Sequence, residues 1–532
     1  MRGMNVSEVM VRYLKAAGVG HVFGYPGDPN VELMEAARRA GMKFVLGRRE
    51  GTAGLMAEAY GFLTGRPGVC MSTLGPGSSN LVNAVANAWL DRVPMIAISG
   101  QIERRREQTF THQVLDHNRL FSPVSKWTTH IAPDTVAGVM RRALRTAMAE
   151  RPGPVHITTH ADVVGATATD ADIRLPPLHA SLGIPANLSR VMNSIRKAKK
   201  PAILAGIAAQ RANAHEALAR LADKAGIPVV VAPMAKGVLA EDHPCYAGTL
   251  DMACNQMMWD FLKRCDLLLA VGFDAVELIK PWSLSVPAIH IDAVPNTDQI
   301  YAADTELVGD IAATLEALAA GWKGEPRWKP AAVKRHREAL RAAYYAGRVK
   351  GRLNPTDVID AVRAALPREA VATADVGSHK LLVGQGWSAY SPRTVLMSNG
   401  LSSMGYSLPA AIVAQMLAPR RPVACFVGDG GLAMVQGELR LAASLKLPLL
   451  VVVFCDNSLN RIEIKQANRR YPSWGTRLDP TRIDGLARAM ACEGAMVDSP
   501  AALERALSAR RPKERPLVIG AQIDPAQYTQ QF

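Results

Sequence analysis

From end to end, short apolar runs of strand length alternate with longer segments in which apolar residues recur at helical spacing. In the first block, to about residue 178, runs such as Met95 to Ser99 and Val155-His156-Ile157-Thr158 are separated by helical segments. A stretch rich in Ala, Thr, Pro and Asp, from Ala166 to Pro185, reads as a linker. The second block opens with Pro201-Ala202-Ile203-Leu204-Ala205-Gly206 and carries further strand runs at Ile227 to Val231, Leu267 to Val271 and Ala288 to Ile291. Composition shifts between Trp322 and Pro330, and a basic helical segment from Ala331 to Tyr345 leads into a third block. Strands alternating with helices imply parallel sheets covered on both faces. The expected fold is therefore α/β, with three doubly wound parallel-sheet domains over residues 1–178, 187–330 and 350–532. No short repeat is visible, although the outer blocks are compatible with similar folds that have diverged.

Composition narrows the picture. At 532 residues the chain is too long for one core. A hydrophobic content of 48% with 20% charged residues is that of an ordinary globular enzyme. There is no run of about eighteen apolar residues, and Met1 to Gly20 mixes charge with apolar residues, so no signal peptide, membrane span or membrane partner is expected, and the default location is cytoplasmic. The 7 cysteines are scattered without a Cys-x-x-Cys pair, and read as reduced core thiols. A net charge of +15 raises the question of nucleic acid, but only Arg104-Arg105-Arg106, Lys199-Lys200 and the Lys334 to Arg341 stretch are dense, and none is interleaved with aromatics. No nucleic-acid partner is expected; the charge is a solvated surface with a mild pull on anionic substrates.

The chemistry concentrates in Val427-Gly428-Asp429-Gly430-Gly431. Apolar Pro422 to Val427 and Leu449 to Phe454 are strand runs, and Leu432 to Leu445 between them has helical spacing, which makes a βαβ unit. A right-handed crossover puts the carboxyl ends of its two strands side by side, so Asp429 and Asn457 can reach one point. A carboxylate, an amide oxygen and a backbone carbonyl, with diphosphate oxygens, form the oxygen shell Mg²⁺ requires, while glycines let backbone N–H groups approach phosphate. A Gly-Asp-Gly by itself is more often a plain turn; the Asn at the end of the next strand changes that reading.

Gly-Asp-Gly followed by Asp456-Asn457 resembles the thiamine-diphosphate fingerprint of the acetolactate synthase, pyruvate oxidase and pyruvate decarboxylase superfamily, with Asp456 standing where the family usually has Asn. By that resemblance Gly428, Asp429, Gly430 and Gly431 meet the cofactor, and Asp429, Asn457 and the main-chain oxygen of Leu459 hold Mg²⁺. The run from Glu50 to Val69, with Gly75-Pro76-Gly77-Ser78-Ser79-Asn80 and Asp91-Arg92-Val93-Pro94, resembles the family's pyrimidine-binding domain. Glu50 alone is an ordinary helix-start glutamate; the resemblance makes it the acid that activates the aminopyrimidine ring. Asn399-Gly400-Leu401-Ser402-Ser403-Met404-Gly405-Tyr406 is similar to the family segment whose apolar side chain bends the cofactor, which implies Met404 for that role and the backbone at Ser402 and Met404 for the pyrimidine. Gly377-Ser378-His379 resembles the second diphosphate contact, a surface histidine being the alternative. The three domains are thus expected to be pyrimidine-binding, central and diphosphate-binding.

The resemblance implies decarboxylation of a 2-oxo acid to an enamine, which is then protonated to an aldehyde or ligated to a second carbonyl as in acetolactate synthase. Pro26-Gly27-Asp28-Pro29-Asn30 is similar to a decarboxylase segment, Glu463 stands at the decarboxylase glutamate's offset from Asn457, and His112-Gln113 falls where synthases have Phe-Gln and decarboxylases a histidine pair. Asp28, His112, Gln113 and Glu463 are therefore candidate catalytic residues beside Glu50, and they tip the expectation toward protonation. Each alone reads as a solvated turn or surface residue. Relatives often carry flavin in the central domain; Ala205-Gly206-Ile207-Ala208-Ala209 lacks the repeated glycines a dinucleotide needs, so FAD is not expected. In this family the two cofactor-binding domains around one site come from different subunits, which implies a homodimer or homotetramer. A non-catalytic relative that keeps the fold is the rival reading, against which Glu50, Asp429 and Asn457 stand intact.

Overall fold

A computed structural model describes residues 3–509 and 514–531. Three parallel sheets of six strands are flanked by helices. The first comprises β1 (His21–Tyr25), β2 (Lys43–Leu46), β3 (Gly68–Ser72), β4 (Met95–Gln101), β5 (Trp127–His130) and β6 (Pro154–His160), in the order β2-β1-β3-β4-β6-β5. The second comprises β7 (Pro201–Ala205), β8 (Val229–Val231), β9 (Tyr246–Thr249), β10 (Leu267–Val271), β11 (Ala288–Asp292) and β12 (Thr305–Val308), in the order β12-β11-β10-β7-β8-β9. The third comprises β13 (Val371–Ala374), β14 (Val395–Met397), β15 (Val423–Gly428), β16 (Leu450–Cys455), β17 (Glu493–Val497) and β18 (Leu517–Gln522), in the order β14-β13-β15-β16-β18-β17. Strand for strand, the third sheet repeats the order of the first.

The central strands read as continuous apolar runs because helices cover both faces; every residue of β4, β6, β7, β10 and β16 is buried. In the outer sheets the order reverses between β1 and β3 and, equivalently, between β13 and β15. Chain segments leaving neighbouring carboxyl ends diverge there and open a crevice, the usual place for a ligand. The chain forms two compact units: one runs to Ala180 and includes Leu401–Ala414, and the other comprises Ser181–Gly400 and the chain from Gln415 on. No described helix is long and apolar enough to cross a membrane.

Two local readings change. The segment expected as one helix from Leu432 to Leu445 is two, Asp429–Val435 and Gly437–Ser444, broken where Gly437 weakens helix propagation. Gly-Asp-Gly is not a loop before the helix but its first turn, with Gly428 as N-cap. The cysteines are unpaired and mostly buried. Cys245 shares a cluster with His243 and Asp223. There the Cys245 N–H donates to His243 Nδ1, which leaves Nε2 to carry the ring proton toward Asp223, 3.1 Å away; burial, then Asp223, pushes the thiol up to about 11. These are hydrogen-bonded groups with no lone pair of His243 left over for a metal.

Within the first unit, Glu58 and Asp91, each 1% exposed, face one another around Asn87. The Asn87 amide donates to both Glu58 oxygens at 2.8 Å and to Asp91 at 3.1 Å. Burial, then the Asp91 charge, holds the Glu58 carboxyl well above its ordinary range. The folded chain therefore keeps a proton that the unfolded chain releases, so this contribution to stability is complete below the ordinary carboxylate range and is lost as pH rises toward the folded pKa. Glu58→Gln offers Asp91 an amide N–H without titrating. Its melting temperature should match the parent near about pH 5 and exceed it near about pH 8 in thermal scans; a pH-independent difference would show that Glu58 is ionised in the fold. Glu58→Ala removes the partner that Asn87 and Asp91 share and should cost roughly 1–3 kcal/mol at either pH.

Candidate active site

The carboxyl end of β15 aims Asp429 at the end of β16. Asp429 Oδ2 accepts the Asn457 backbone N–H at 2.8 Å, and Oδ1 accepts the N–H of Gly430 at 2.8 Å. Asn457 adopts a left-handed backbone, φ 53°, which turns the chain out of β16, and its carbonyl accepts the Leu478 N–H at 2.9 Å. Leu459 N–H donates to Thr476 O at 2.7 Å, while the Leu459 carbonyl takes N–H bonds from Ile462 and Glu463. The structure thus joins Asp429, past the end of β15, to Asn457, past the end of β16, with Leu459 two residues further on and its oxygen shared with the start of the helix Asn460–Asn468.

Behind them, β13 delivers Gly377, Ser378 and His379. His379 is 4% exposed, stacks on Phe454 at 5.2 Å, and its Nε2 is buried with no hydrogen-bond partner. Burial, then Lys380, drives its pKa down to about 3, so the ring is neutral. Ser378 Oγ donates to Asn460 Oδ1 at 2.8 Å. Glycine is required here by close approach and backbone conformation: a Cβ on Gly431 would lie 1.9 Å from Asp375 Oδ2, one on Gly428 would lie 3.2 Å from His379 Cε1, and Gly377 has φ 150°. A second acid, Asp456, lies beside Asp429; burial, then Asp429, raises it to about 7. Burial likewise raises Asp429, against the backbone N–H bonds it accepts. A glycine-walled hollow, an unpartnered buried imidazole nitrogen and two crowded carboxyls fit a divalent cation carrying phosphate oxygens.

The first unit builds a comparable hollow. Glu50 opens the helix Glu50–Thr64 after β2, where the helix dipole favours an anion, and is 9% exposed. Asn80 Nδ2 donates to Glu50 Oε2 at 3.2 Å. A Cβ on Gly77 would lie 3.1 Å from Glu50 Oε1, one on Gly27 would lie 2.1 Å from Thr73 Oγ1, and one on Gly75 would lie 2.6 Å from Gln113 O. Glu50, Gly27 next to Asp28, Thr73, Gly75 to Gly77 and Gln113 therefore surround one place. One turn beyond Asn80 on the helix Pro76–Leu90, Asn83 Nδ2 donates to Ser403 Oγ at 2.8 Å, so Ser402, with φ 57°, and half-buried Met404 join the same helix.

The remaining candidates are placed differently. Asp28 is exposed on a short turn, and His112 is exposed, its ring edge-on to Phe110 at 6.2 Å. Glu463 is held by three donors: Ser458 Oγ, the Ser473 side chain and the Arg477 guanidinium, the last at 2.5 Å. Burial pushes its carboxyl up, but these bonds outweigh it and keep its pKa below the ordinary value. Arg477, Asn460, Asn80 and Asp375 were not legible beforehand, because each acts through a partner distant in sequence; Asp456 was visible only as a departure from a pattern.

Comparison with known proteins agrees with this arrangement at the level of domains. The chain matches the models "Thiamine pyrophosphate enzyme, N-terminal TPP binding domain" over residues 4–120, the central domain over residues 188–318, and the C-terminal TPP binding domain over residues 375–521. It is 29% identical to an acetolactate synthase of Bacillus subtilis, over 97% of this chain and 93% of that protein. It is 30% identical to a catabolic acetolactate synthase of Raoultella terrigena, over 97% and 95% respectively. It is 31% identical to a probable 2-ketoarginine decarboxylase of Pseudomonas aeruginosa, over 86% and 83%. Matched in all three domains and similar to such relatives over most of their length, the chain belongs to the thiamine pyrophosphate enzyme family, in its acetolactate synthase-like group.

Proposed function

We propose that the protein uses thiamine diphosphate and Mg²⁺ to decarboxylate a 2-oxo acid. One observation carries this reading: two sheets of the same strand order each place, past the carboxyl ends of their strands, closely packed glycines beside a fixed acid, Glu50 in one and Asp429 in the other. A cofactor with a basic ring at one end and a diphosphate at the other needs those two acids. The reading includes pairing of chains, as a homodimer or homotetramer, so that Glu50 of one copy serves the cofactor whose diphosphate another copy holds.

In this assignment the Asp429 carboxylate, the Asn457 amide oxygen and the Leu459 carbonyl hold Mg²⁺. The glycine backbone from Gly428 to Gly431 and at Gly377 admits the phosphates, and Ser378 and neutral His379 bond to them. Backbone groups at Ser402 and Met404 bind the pyrimidine, the Met404 side chain fills the bend between the rings, and Glu50 holds a hydrogen bond at the ring nitrogen. Bound thiamine diphosphate supplies a carbon nucleophile for the 2-oxo acid and a sink for the electrons left when carbon dioxide departs. We expect no flavin: the Ile207 N–H donates to Glu277 at 2.8 Å and the Ala208 N–H to the Gly272 carbonyl at 2.9 Å. These are the helix-start donors a dinucleotide phosphate would use.

A second reading concerns the product, and Glu463 favours it. Releasing an aldehyde requires a proton donor, yet Arg477 and Ser458 keep Glu463 ionised, and Asp28 and His112 are exposed to solvent. Capture of a second carbonyl places no proton on the enamine carbon; the proton it needs goes instead to the alkoxide oxygen that the captured carbonyl becomes. We therefore infer ligation as the favoured outcome, with protonation the lesser one.

Three results test these assignments. Glu50→Gln should bind the cofactor with little loss yet slow deuterium exchange at its C2 position by about 100-fold or more, read by NMR; unchanged exchange would remove Glu50 from the chemistry. Asp429→Ala should weaken Mg²⁺-dependent cofactor binding by at least about tenfold, roughly 1.4 kcal/mol, in calorimetry; full affinity in this variant would refute the ligand assignment. Arg477→Ala frees Glu463 to take a proton, so in assays of a 2-oxo acid panel the product ratio should move from ligated compound toward aldehyde; the opposite movement would exclude Glu463 as the donor.

A further inference from the structure

Away from both hollows, the second unit contains a crevice of about 1290 Å³ between the helix Pro330–Tyr344, the edge strand β9 and the helices Pro355–Ala365 and Ser378–Gly386. It meets the last of these helices at Gln385 and Gly386, the end remote from His379, and so is distinct from the diphosphate hollow. Its walls carry five basic side chains against four acids, Glu241, Asp242, Glu338 and Asp360, of which Glu241 is taken by the buried Lys236. Lys334, Arg337 and Arg341 follow one another at spacings of three and four on one helix face, where like charges repel, and Arg363 and Arg368 come from the opposite wall.

The acids on the walls do not neutralise this set. Asp242 pairs with Arg368 at 2.7 Å, Glu338 lies 3.9 Å from Lys334, and Asp360 accepts the Tyr345 hydroxyl at 2.8 Å. Arg337 donates instead to the carbonyls of Glu241 and His243, Arg341 lies over the Tyr345 ring at 5.9 Å, and Arg363 lies over Trp387 at 4.5 Å while donating to the Leu366 and Pro367 carbonyls. Three guanidinium groups thus have no carboxylate within ion-pair distance among the described residues, Asp360 acting on Arg341 and Glu369 on Arg363 only at longer range. Two wall groups also have buried polar atoms with no partner: Arg363 Nη1 and the hydroxyl of Tyr344, which lies against Gly386. Buried donors are ordinarily satisfied, and a group of like charges facing a cavity is ordinarily neutralised.

We propose that this crevice binds an organic polyanion bearing a flat ring, in the size class of a nucleoside diphosphate. Its volume exceeds the roughly 300–1,000 Å³ of common ligand clefts, far more than a 2-oxo acid fills. Guanidinium forks suit phosphate oxygens, and Tyr246, Tyr345 and Tyr390 on the walls suit a ring. The proposal does not depend on the reaction assigned above.

The test uses the full chain saturated with thiamine diphosphate and Mg²⁺, so that the probe cannot enter the diphosphate hollow. Calorimetric titration with ADP should show one saturable site per chain, weakened by added salt, and inorganic phosphate should bind at least about tenfold more weakly. Arg341→Ala, at an exposed position outside the proposed catalytic groups, should lose at least about tenfold in ADP affinity while melting temperature and turnover stay as in the parent. Absence of saturable ADP binding at millimolar concentration, equal affinity in the variant, or phosphate binding as tightly as ADP would each overturn the proposal.

Discussion

The bond from the Asn457 backbone N–H to the Asp429 carboxylate ties the ends of β15 and β16 together, and the groups around Gly428 to Gly431 are arranged about it. A carboxylate accepting two backbone N–H bonds is fixed in direction without any other side chain, so it can point into a hollow that glycines leave open. The same bond explains the left-handed turn at Asn457, which carries the chain back toward Leu459 and lets Thr476 and Leu478 pin it from the next segment. Loss of that fixed point would release the ends of both strands from the switch point.

Legibility followed the range of the interactions concerned. β16, Leu450–Cys455, and β10, Leu267–Val271, were readable because a buried parallel strand is an uninterrupted apolar run, and the pairing of Asp429 with Asn457 was readable because the handedness of a βαβ crossover leaves one place for the two strand ends. The break at Gly437 was missed because helical periodicity survives a one-residue interruption. Arg477, which pairs with Glu463, comes from a loop whose position depends on the Leu459 and Thr476 pairing, and no local pattern encodes that. Asn80 and Asn83 were similarly hidden: each is an unremarkable residue on an Ala-rich helix until Glu50 and Ser403 are placed beside it.

Charge in the interior is managed in two contrasting ways. Glu58, deep between helices, is kept neutral by burial and by Asp91, and serves the fold. Glu463 lies closer to solvent and is kept ionised by donors placed around it. Two carboxyls of the same chemical type are thereby pushed in opposite directions by their surroundings.

The equivalence of the outer sheets gives these placements a common logic. The ends of β1, β2, β3 and β4 carry Asp28, Glu50, the Gly75 to Gly77 turn and Gln113; the ends of β13, β15 and β16 carry Gly377 to His379, the Gly428 to Gly431 turn and Asn457. In both sheets the strand beyond the reversal leads through glycines into a helix, Pro76–Leu90 in one and Asp429–Val435 in the other. What the two share is a crevice and a need for bare backbone, which strand order and glycine supply. What differs is which loop supplies the acid: the one after β2 in the first sheet and the one after β15 in the third. A repeated frame with its chemistry placed on different loops has no reason to preserve side-chain identity between its halves, and this is why the repetition is plain in strand order and invisible in the sequence.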